Sequence, residues 1–527
     1  MDVNDAWKRT CKVLFGDEIG ELQDFEKYLK KNNEPIFSKK SVISGKNVTI
    51  ADEYFCPSAS FIGNSEVPQF EKNSGNIRLD LNQIKDIDSI LNAVSEKLVY
   101  SGNVLLGDYS GIENSHRCTD SHFVRDSHDI VQSKYIAYST LLRICEYSFG
   151  CCFTAEGKFG IKSTQFYQSN RCFEAIMTMI CSDCYYTANL EGCQNCIFCF
   201  NLKSKNHCIG NLELPKDKYN AIKAGLVEQI REQLRAKKDV IGIVELLSWG
   251  KVKQSIQEKN RPPHKTFYPT KPPQNEVERA FSETSAIIFG RRLSVPADYQ
   301  DWLLEDIRKP LTYTSAKSAS QLHITPLRAY VAFNNAAISM DEAWNLGKHS
   351  LSKEQLEKLS LSNAKDVLKE ISFTTSELVR GVNASVEESV NYFDSAYCYG
   401  IAGCYMSKRC AYSFYIRECE NSFGCELLLY SNFCFKCYHS VKLTRCFEVL
   451  DSKSSSDCYF CHNIENCHDS MFCFNIKNLR YAVGNVEIGR ERYLQVKKRV
   501  LDEISKKVEA NKKLDLSIYN VGCKARM

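Results

Sequence analysis

Residues 395–473 read SAYCYGIAGCYMSKRCAYSFYIRECENSFGCELLLYSNFCFKCYHSVKLTRCFEVLDSKSSSDCYFCHNIENCHDSMFC. Twelve cysteines fall in this stretch, from Cys398 to Cys473, and every interval between them is a multiple of three. The other residues in the same phase are small or apolar, among them Ser395, Ile401, Ser407, Ser413, Ile416, Ser422, Leu428, Ser440, Leu443 and Val449. A period of three is not the alternation of a flat strand. It also drifts around an α-helix within a few turns. A long 3₁₀ helix is disfavoured, and the glycine or proline that a polyproline II bundle needs is missing. The remaining solution is a β-solenoid, in which short strand segments and corners turn one residue in three inward. A narrow bore accounts for Cys and Ser at those positions, and a Ser hydroxyl can bond locally to backbone at the corners. Coil length and handedness do not follow from the phase.

The same phase runs from Ser115 through Cys118, Val124, Ile130 and Cys145 to Cys151, and from Cys172 to Cys199, with Cys152 alone out of step. The two tracts are related by an offset of 274. Arg143-Ile-Cys-Glu-Tyr-Ser-Phe-Gly-Cys151 returns as Arg417-Glu-Cys-Glu-Asn-Ser-Phe-Gly-Cys425, and Phe198-Cys-Phe-Asn201 returns as Phe472-Cys-Phe-Asn475. Phe15-Gly16 maps onto Phe289-Gly290 by the same step. The expected fold class is therefore α+β, a tandem duplication in which each copy holds a cysteine-lined β-solenoid with flanking helices. Copy one comprises a mixed region 1–103, a solenoid 104–211 and a closing helical segment 212–258. A Pro-rich linker, 259–275, follows. Copy two comprises a mixed region 276–383, a solenoid 384–485, and a closing helix and tail 486–527. Helices are expected near Ile84 to Tyr100 and Ala364 to Val379, and at Lys216 to Lys238 and Arg490 to Lys512. Val496, Val500 and Ile504 recur at helical spacing on the last, as if to cap a solenoid end.

Composition narrows the function classes. The chain has 527 residues, too many for one core, with 43% hydrophobic and 25% charged residues, as in an ordinary globular protein. A net charge of +4 gives no global case for nucleic acid, and only local basic patches leave that partner open. The opening MDVNDAWKRTCKVLFGDE lacks the apolar core of a secretory signal, and no run is long and apolar enough to span a membrane. The expected location is the cytoplasm, a virion or another particle. In that setting the 26 cysteines are expected as reduced thiols rather than a disulfide framework.

Candidate chemistry is sparse. The pairs Cys193/Cys196/Cys199 and Cys458/Cys461 have zinc-knuckle spacing, but the period of three produces that spacing by itself. Cys181, Cys196 and Cys437 also meet Ser455, Ser470 and Ser163 across the offset. His116, His122 and His128 recur every six residues and would suit a transition metal if they shared a face. Phe198, Phe200, Phe433, Phe435, Phe472 and Phe474 flank in-phase cysteines. Such rows are covered by a helix, the sister copy or another subunit, or else serve as a stacking platform. No GxxxxGKS, HExxH, GxSxG or dinucleotide fingerprint is present.

The end of the first tract, Phe198-Cys-Phe-Asn-Leu-Lys-Ser-Lys-Asn-His-Cys-Ile-Gly-Asn211 with the Lys216 to Tyr219 helix entry, resembles cysteine-rich repeat proteins of uncultured bacteria and their phages. Copy two departs from the pattern with Ala482 in place of Cys208. The resemblance covers the solenoids and closing helices, under half of the chain. That family carries no established activity, and the resemblance implies a component of a phage particle or other large assembly. The expectation is a non-enzymatic structural or scaffold protein without cofactor, acting as a homo-oligomer or with other subunits. The alternatives are a polymer-binding module for nucleic acid or glycan, and a zinc-binding or thiol-redox protein.

Overall fold

In-phase residues need somewhere dry to go, and the computed structural model buries them. It describes residues 1–73, 86–247, 265–266, 269 and 273–523. The fold is mixed α/β, with helices beside large parallel sheets. No in-phase residue from Ser395 to Cys473 is more than 2% exposed. Most of the Pro-rich linker 259–275 lies outside the described residues.

The strand register is constant at twelve. Lys134 pairs with Glu146, Glu146 with Lys158, and Lys158 with Asn170, all in parallel. In the second tract Ala402 pairs with Phe414, Phe414 with Glu426, and Glu426 with Tyr438. Four-residue strands such as Lys134–Ala137 and Thr140–Arg143 alternate between two such stacks. The residue before each buried one adopts a left-handed φ, as at Asp394, Tyr397, Arg409 and Tyr412. That conformation costs an L-residue roughly 1–2 kcal/mol. It is held here because the hydrogen-bonded ladder fixes both neighbours.

These corners take some amides out of the backbone ladder, and the buried side chains meet them. Ser115 Oγ accepts from the Ser127 amide at 3.1 Å and donates to the Glu113 carbonyl at 2.7 Å. Ser133 Oγ accepts from the Cys145 amide at 3.0 Å, and Ser413 Oγ accepts from the Cys425 amide at 3.1 Å. Cysteine does the same with sulfur. Cys181 Sγ accepts from the Cys193 amide at 3.4 Å and donates to the Met179 carbonyl at 3.1 Å. Serine and cysteine thus combine small volume with a short group that satisfies buried backbone. Replacing Cys425 by Ala is expected to cost about 1 kcal/mol by urea denaturation, the scale of a small buried deletion. Replacing it by Leu is expected to cost more, about 1–3 kcal/mol, because the interior has no room for the extra methylenes.

The chain does not divide at the linker. One compact unit comprises Met1–Pro35, Asp108–Thr266 and Leu311–Glu377. The other comprises Ile36–Gly107, Phe267–Pro310 and Leu378–Met527. Each tract therefore keeps its own leading helix but takes its mixed segment from the other half of the sequence.

In the first unit, Asp2 caps the helix Val3–Phe15, accepting from the Asp5 amide at 2.8 Å, and Gly16 ends it in the left-handed conformation. Its buried residues Trp7, Cys11, Leu14 and Phe15 form one helical face. That face lies on the sheet through Trp7 against Phe149 (5.3 Å) and Phe15 against Phe173 (5.0 Å). In the second unit Phe281 meets Phe423 at 5.2 Å and Phe289 meets Phe447 at 5.0 Å. Every partner in the second unit lies 274 residues after its equivalent.

The mixed segments close the last strands with the same offset. Asn201 Nδ2 donates to the Phe373 carbonyl at 2.9 Å, and Asn475 Nδ2 donates to the Val99 carbonyl at 2.7 Å. Leu351 and Val94 pack on Gly210 and Gly484. The expected capping by the closing helices is corrected accordingly. The helices Lys216–Lys237 and Arg490–Asn511 form where expected. The second, however, lies along the flank of its sheet. There Lys497 sits between Asp457 and Asp469, and Tyr493 packs on Tyr481.

The two middle helices are shorter than expected. Ile87–Val94 gives way to a 3₁₀ turn and the strand Tyr100–Gly102, and Ala364–Leu368 is a little over one turn. The residues beyond them are needed extended, to offer carbonyls such as those of Val99 and Phe373. The all-thiol expectation fails at one pair, because Cys56 and Cys523 are joined as a disulfide. The Cys56 amide bonds to the Tyr519 carbonyl at 3.2 Å, so two remote segments meet there.

Candidate functional site

Three groups of side chains need a chemical account: the thiols, the histidines and aromatics flagged by spacing, and a set of buried charges. The 24 cysteines outside the disulfide are free and buried. In register, Cys172, Cys184, Cys196 and Cys208 form one column. Cys199 Sγ donates to the Ile197 and Cys208 carbonyls at 3.3 and 3.4 Å, and Cys458 Sγ to those of Ser456 and Cys467 at 3.2 and 3.5 Å. Cys193, Cys196 and Cys461 also donate to backbone carbonyls. Burial pushes Cys145 and Cys151 up to about 12 and Cys467 up to about 11. It pushes Cys172 up as well. Hydrogen bonds from neighbouring thiols act the other way and lower Cys184, Cys193, Cys398 and Cys461, so burial disfavours the thiolate that attack or metal ligation needs only at the raised positions.

The histidines do not share a face. His116 pairs with His128 in one strand stack, whereas His122 pairs with Ser110 and Lys134 in the other. The register of twelve sends every second member of a six-residue repeat to a different stack. His122 Nδ1 lies 2.9 Å from Ser110 Oγ, and His128 Nδ1 lies 2.7 Å from Asp129 Oδ2.

The six phenylalanines are mostly covered. Phe198, Phe200, Phe435, Phe472 and Phe474 are buried, and Phe433 is half-buried. Phe435 lies under Phe281 and Phe289, Phe474 under Tyr100, and Phe472 stacks on Phe460. A row that the spacing left unmarked is Phe123, Tyr135, Tyr147 and Phe159. These half-buried rings stack at centroid separations of 5.1, 5.1 and 4.8 Å. Their faces are spent on one another. The signal was present as a spacing of twelve, but it has meaning only once the register is known.

The buried charges escaped the sequence reading altogether. In the first unit Glu174 is 1% exposed, accepting from Tyr28 Oη at 2.5 Å and the Ile243 amide at 2.8 Å. Lys162 stands one register step away and donates to the Lys31 carbonyl. Burial raises the Glu174 carboxyl and lowers the Lys162 ammonium. The cavity beside them, lined by Tyr28, Asn33, Lys162, Glu174, Val240 and Ile243 among others, holds about 20 Å³. That is room for about one water, not for a substrate.

At positions 274 later stand Trp302, Lys436 and Glu448. Lys436 Nζ donates to the Trp302 carbonyl at 2.9 Å and meets Asp306 Oδ2 at 3.2 Å. Glu448 Oε2 accepts from the Ile518 amide at 2.7 Å, and its Oε1 has no hydrogen-bond partner among the described residues. Burial pushes Glu448 up to about 8 from an ordinary 4.5. A carboxyl raised on folding holds its proton better in the native state. Stability from this group is therefore full below 4.5 and lost as pH climbs toward 8, by up to about 1.4 kcal/mol per pH unit. Glu448→Gln is expected to flatten that slope in denaturation curves taken between pH 5 and 9. An unchanged slope would assign it to other groups.

A roomier groove in the second unit, about 510 Å³, is lined by Ile87, Leu91, Lys507, Lys513, Leu514 and Asp515 among others. Its lining offers no Ser, Cys or His to act as nucleophile or base. Together these features define a mixed α/β protein with large parallel sheets and an interior rich in buried thiols. No protein-family model, curated protein or solved structure matches the chain. No described helix is long and apolar enough to cross a membrane.

Proposed function

We propose that the chain is a tandem duplication in which each copy winds a cysteine-lined β-solenoid of twelve-residue coils, and that it serves as a non-enzymatic scaffold in a larger assembly such as a phage particle. The constant register of twelve, the left-handed corner at every third residue and the 274-residue spacing of equivalent contacts support the architecture. The scaffold role rests on one observation above the rest: the polar atoms of the interior are used on the protein's own backbone. Serine hydroxyls and cysteine thiols that would be catalytic elsewhere are donors and acceptors within the ladder.

Assembly is supported by an open edge. The strand Ala384–Glu387 pairs only with Ala396–Tyr399 among the described residues, and Val382 before it is 85% exposed. An unpaired edge is a template for another chain. The six phenylalanines are not the docking surface in this reading, because the chain covers most of them itself.

Light scattering on the purified full chain, with electron microscopy of particles from the native source, tests the proposal. The expected result is a defined oligomer or a particle containing the chain. A strict monomer at high concentration that turns over a small substrate would contradict it.

A further inference from the structure

The contact between Lys436 and Asp306 is an ammonium and a carboxylate held together in a dry place. Lys436 is fully buried, and its neighbours Trp302 and Tyr438 are 2% and 0% exposed. Nζ stands 3.2 Å from Asp306 Oδ2 and 5.6 Å from the centre of the Trp302 ring. Glu448 is one register step from Lys436 on the parallel ladder. It feels the charges of both Lys436 and Asp306. A buried lysine against a carboxyl that is only 15% exposed, beside a second carboxyl with a spare oxygen, is the set of groups that intramolecular amide formation requires.

We propose that Lys436 and Asp306 condense to an isopeptide bond, with Glu448 as the proton-transfer group. The step needs no outside reagent. Nζ gives up protons and its lone pair attacks Asp306 Cγ, forming the C–N bond. The bond from Cγ to one carboxyl oxygen then breaks, and that oxygen leaves as water with two of the three ammonium protons. The third proton stays as the amide N–H. One positive and one negative charge disappear together, which a dry interior favours. Nζ contacts Asp306 Oδ2 at 3.2 Å, which holds the amine beside the carboxyl carbon it would attack. Glu448 serves by carrying protons from Nζ to the departing oxygen. Its raised affinity for a proton, set by burial, lets it do so near neutrality.

The first unit differs at the proton-transfer group: both Glu174 oxygens are taken, by Tyr28 Oη and the Ile243 amide, so that carboxyl has no oxygen to spare. The bond would join residues 130 apart and tie the segment after the leading helix to the sheet it covers.

The test is the intact mass of the full chain, reduced and denatured, followed by peptide mapping. The expected result is a mass one water below that of the sequence, and a branched peptide joining Lys436 to Asp306 that survives hydroxylamine. Lys436→Arg should restore the full mass. Glu448→Gln should restore it while the far-ultraviolet spectrum stays native, and Asp306→Asn should lose ammonia in place of water. A wild-type chain of full sequence mass would overturn the proposal, leaving an ordinary ion pair. So would a water lost at a site that hydroxylamine cleaves. Continued loss of water in Glu448→Gln would remove Glu448 from the mechanism as stated.

Discussion

Tyr100→Ala is expected to destabilise the second sheet by about 3–5 kcal/mol, the range for deleting a fully buried large aromatic. Tyr100 belongs to the first half of the sequence, yet it is 0% exposed among residues of the second unit. Its ring lies 5.5 Å from Phe474, 5.4 Å from His462 and 4.8 Å from Phe55. Its hydroxyl donates to the Ile518 carbonyl at 2.7 Å. Truncation empties a cavity and orphans that carbonyl. Hydrogen exchange locates the damage. Amides of the second tract, from Tyr438 to Val483, should exchange faster, while those from His122 to Ile209 keep their protection. Loss of protection confined to the first tract would mean that the mixed segments are not exchanged.

Arg308→Ala is expected to cost about as much, roughly 3–5 kcal/mol in chemical denaturation, because it strips a buried carboxylate of its cation. Glu426 is 1% exposed. Its Oε1 accepts from Arg308 Nε at 2.7 Å and its Oε2 from the Arg308 amide at 2.8 Å. The guanidinium also lies over the Phe414 ring at 4.3 Å. The double variant Arg308→Ala/Glu426→Gln should recover part of the loss, since no buried charge is then left alone. Absence of any recovery would place the cost in the lost cation–π packing.

The sequence made the interior legible because one residue type at one period has a single dry destination. Cys398, Cys410, Cys434 and Cys446 are buried as the phase requires. The closing helices were legible too, through the helical spacing of residues such as Val496, Val500 and Ile504 in Arg490–Asn511. The strand register of twelve was not, since a phase of three is compatible with any multiple of three. His116 and His122 were misplaced for that reason, and the stacked row from Phe123 to Phe159 stayed hidden. The exchange of mixed segments was beyond reach for a different reason. Both tracts offer an Asn side chain to a mixed segment, Asn201 to Phe373 and Asn475 to Val99, and nothing in the sequence of Val99 or Phe373 says which tract it will meet. The buried Lys162–Glu174 and Lys436–Glu448 neighbours were unreadable because charged residues at corner positions look solvated until a helix is laid over them.

Counting reactive thiols in the native and the unfolded chain tests most directly that the cysteines are structural filling. After removal of excess reductant, the native protein should leave the 24 buried thiols silent to a rapid aromatic disulfide reagent and release no stoichiometric zinc, and unfolding should expose all of them together. Fast reaction of several thiols in the native state, or several zinc ions released per chain, would contradict the account.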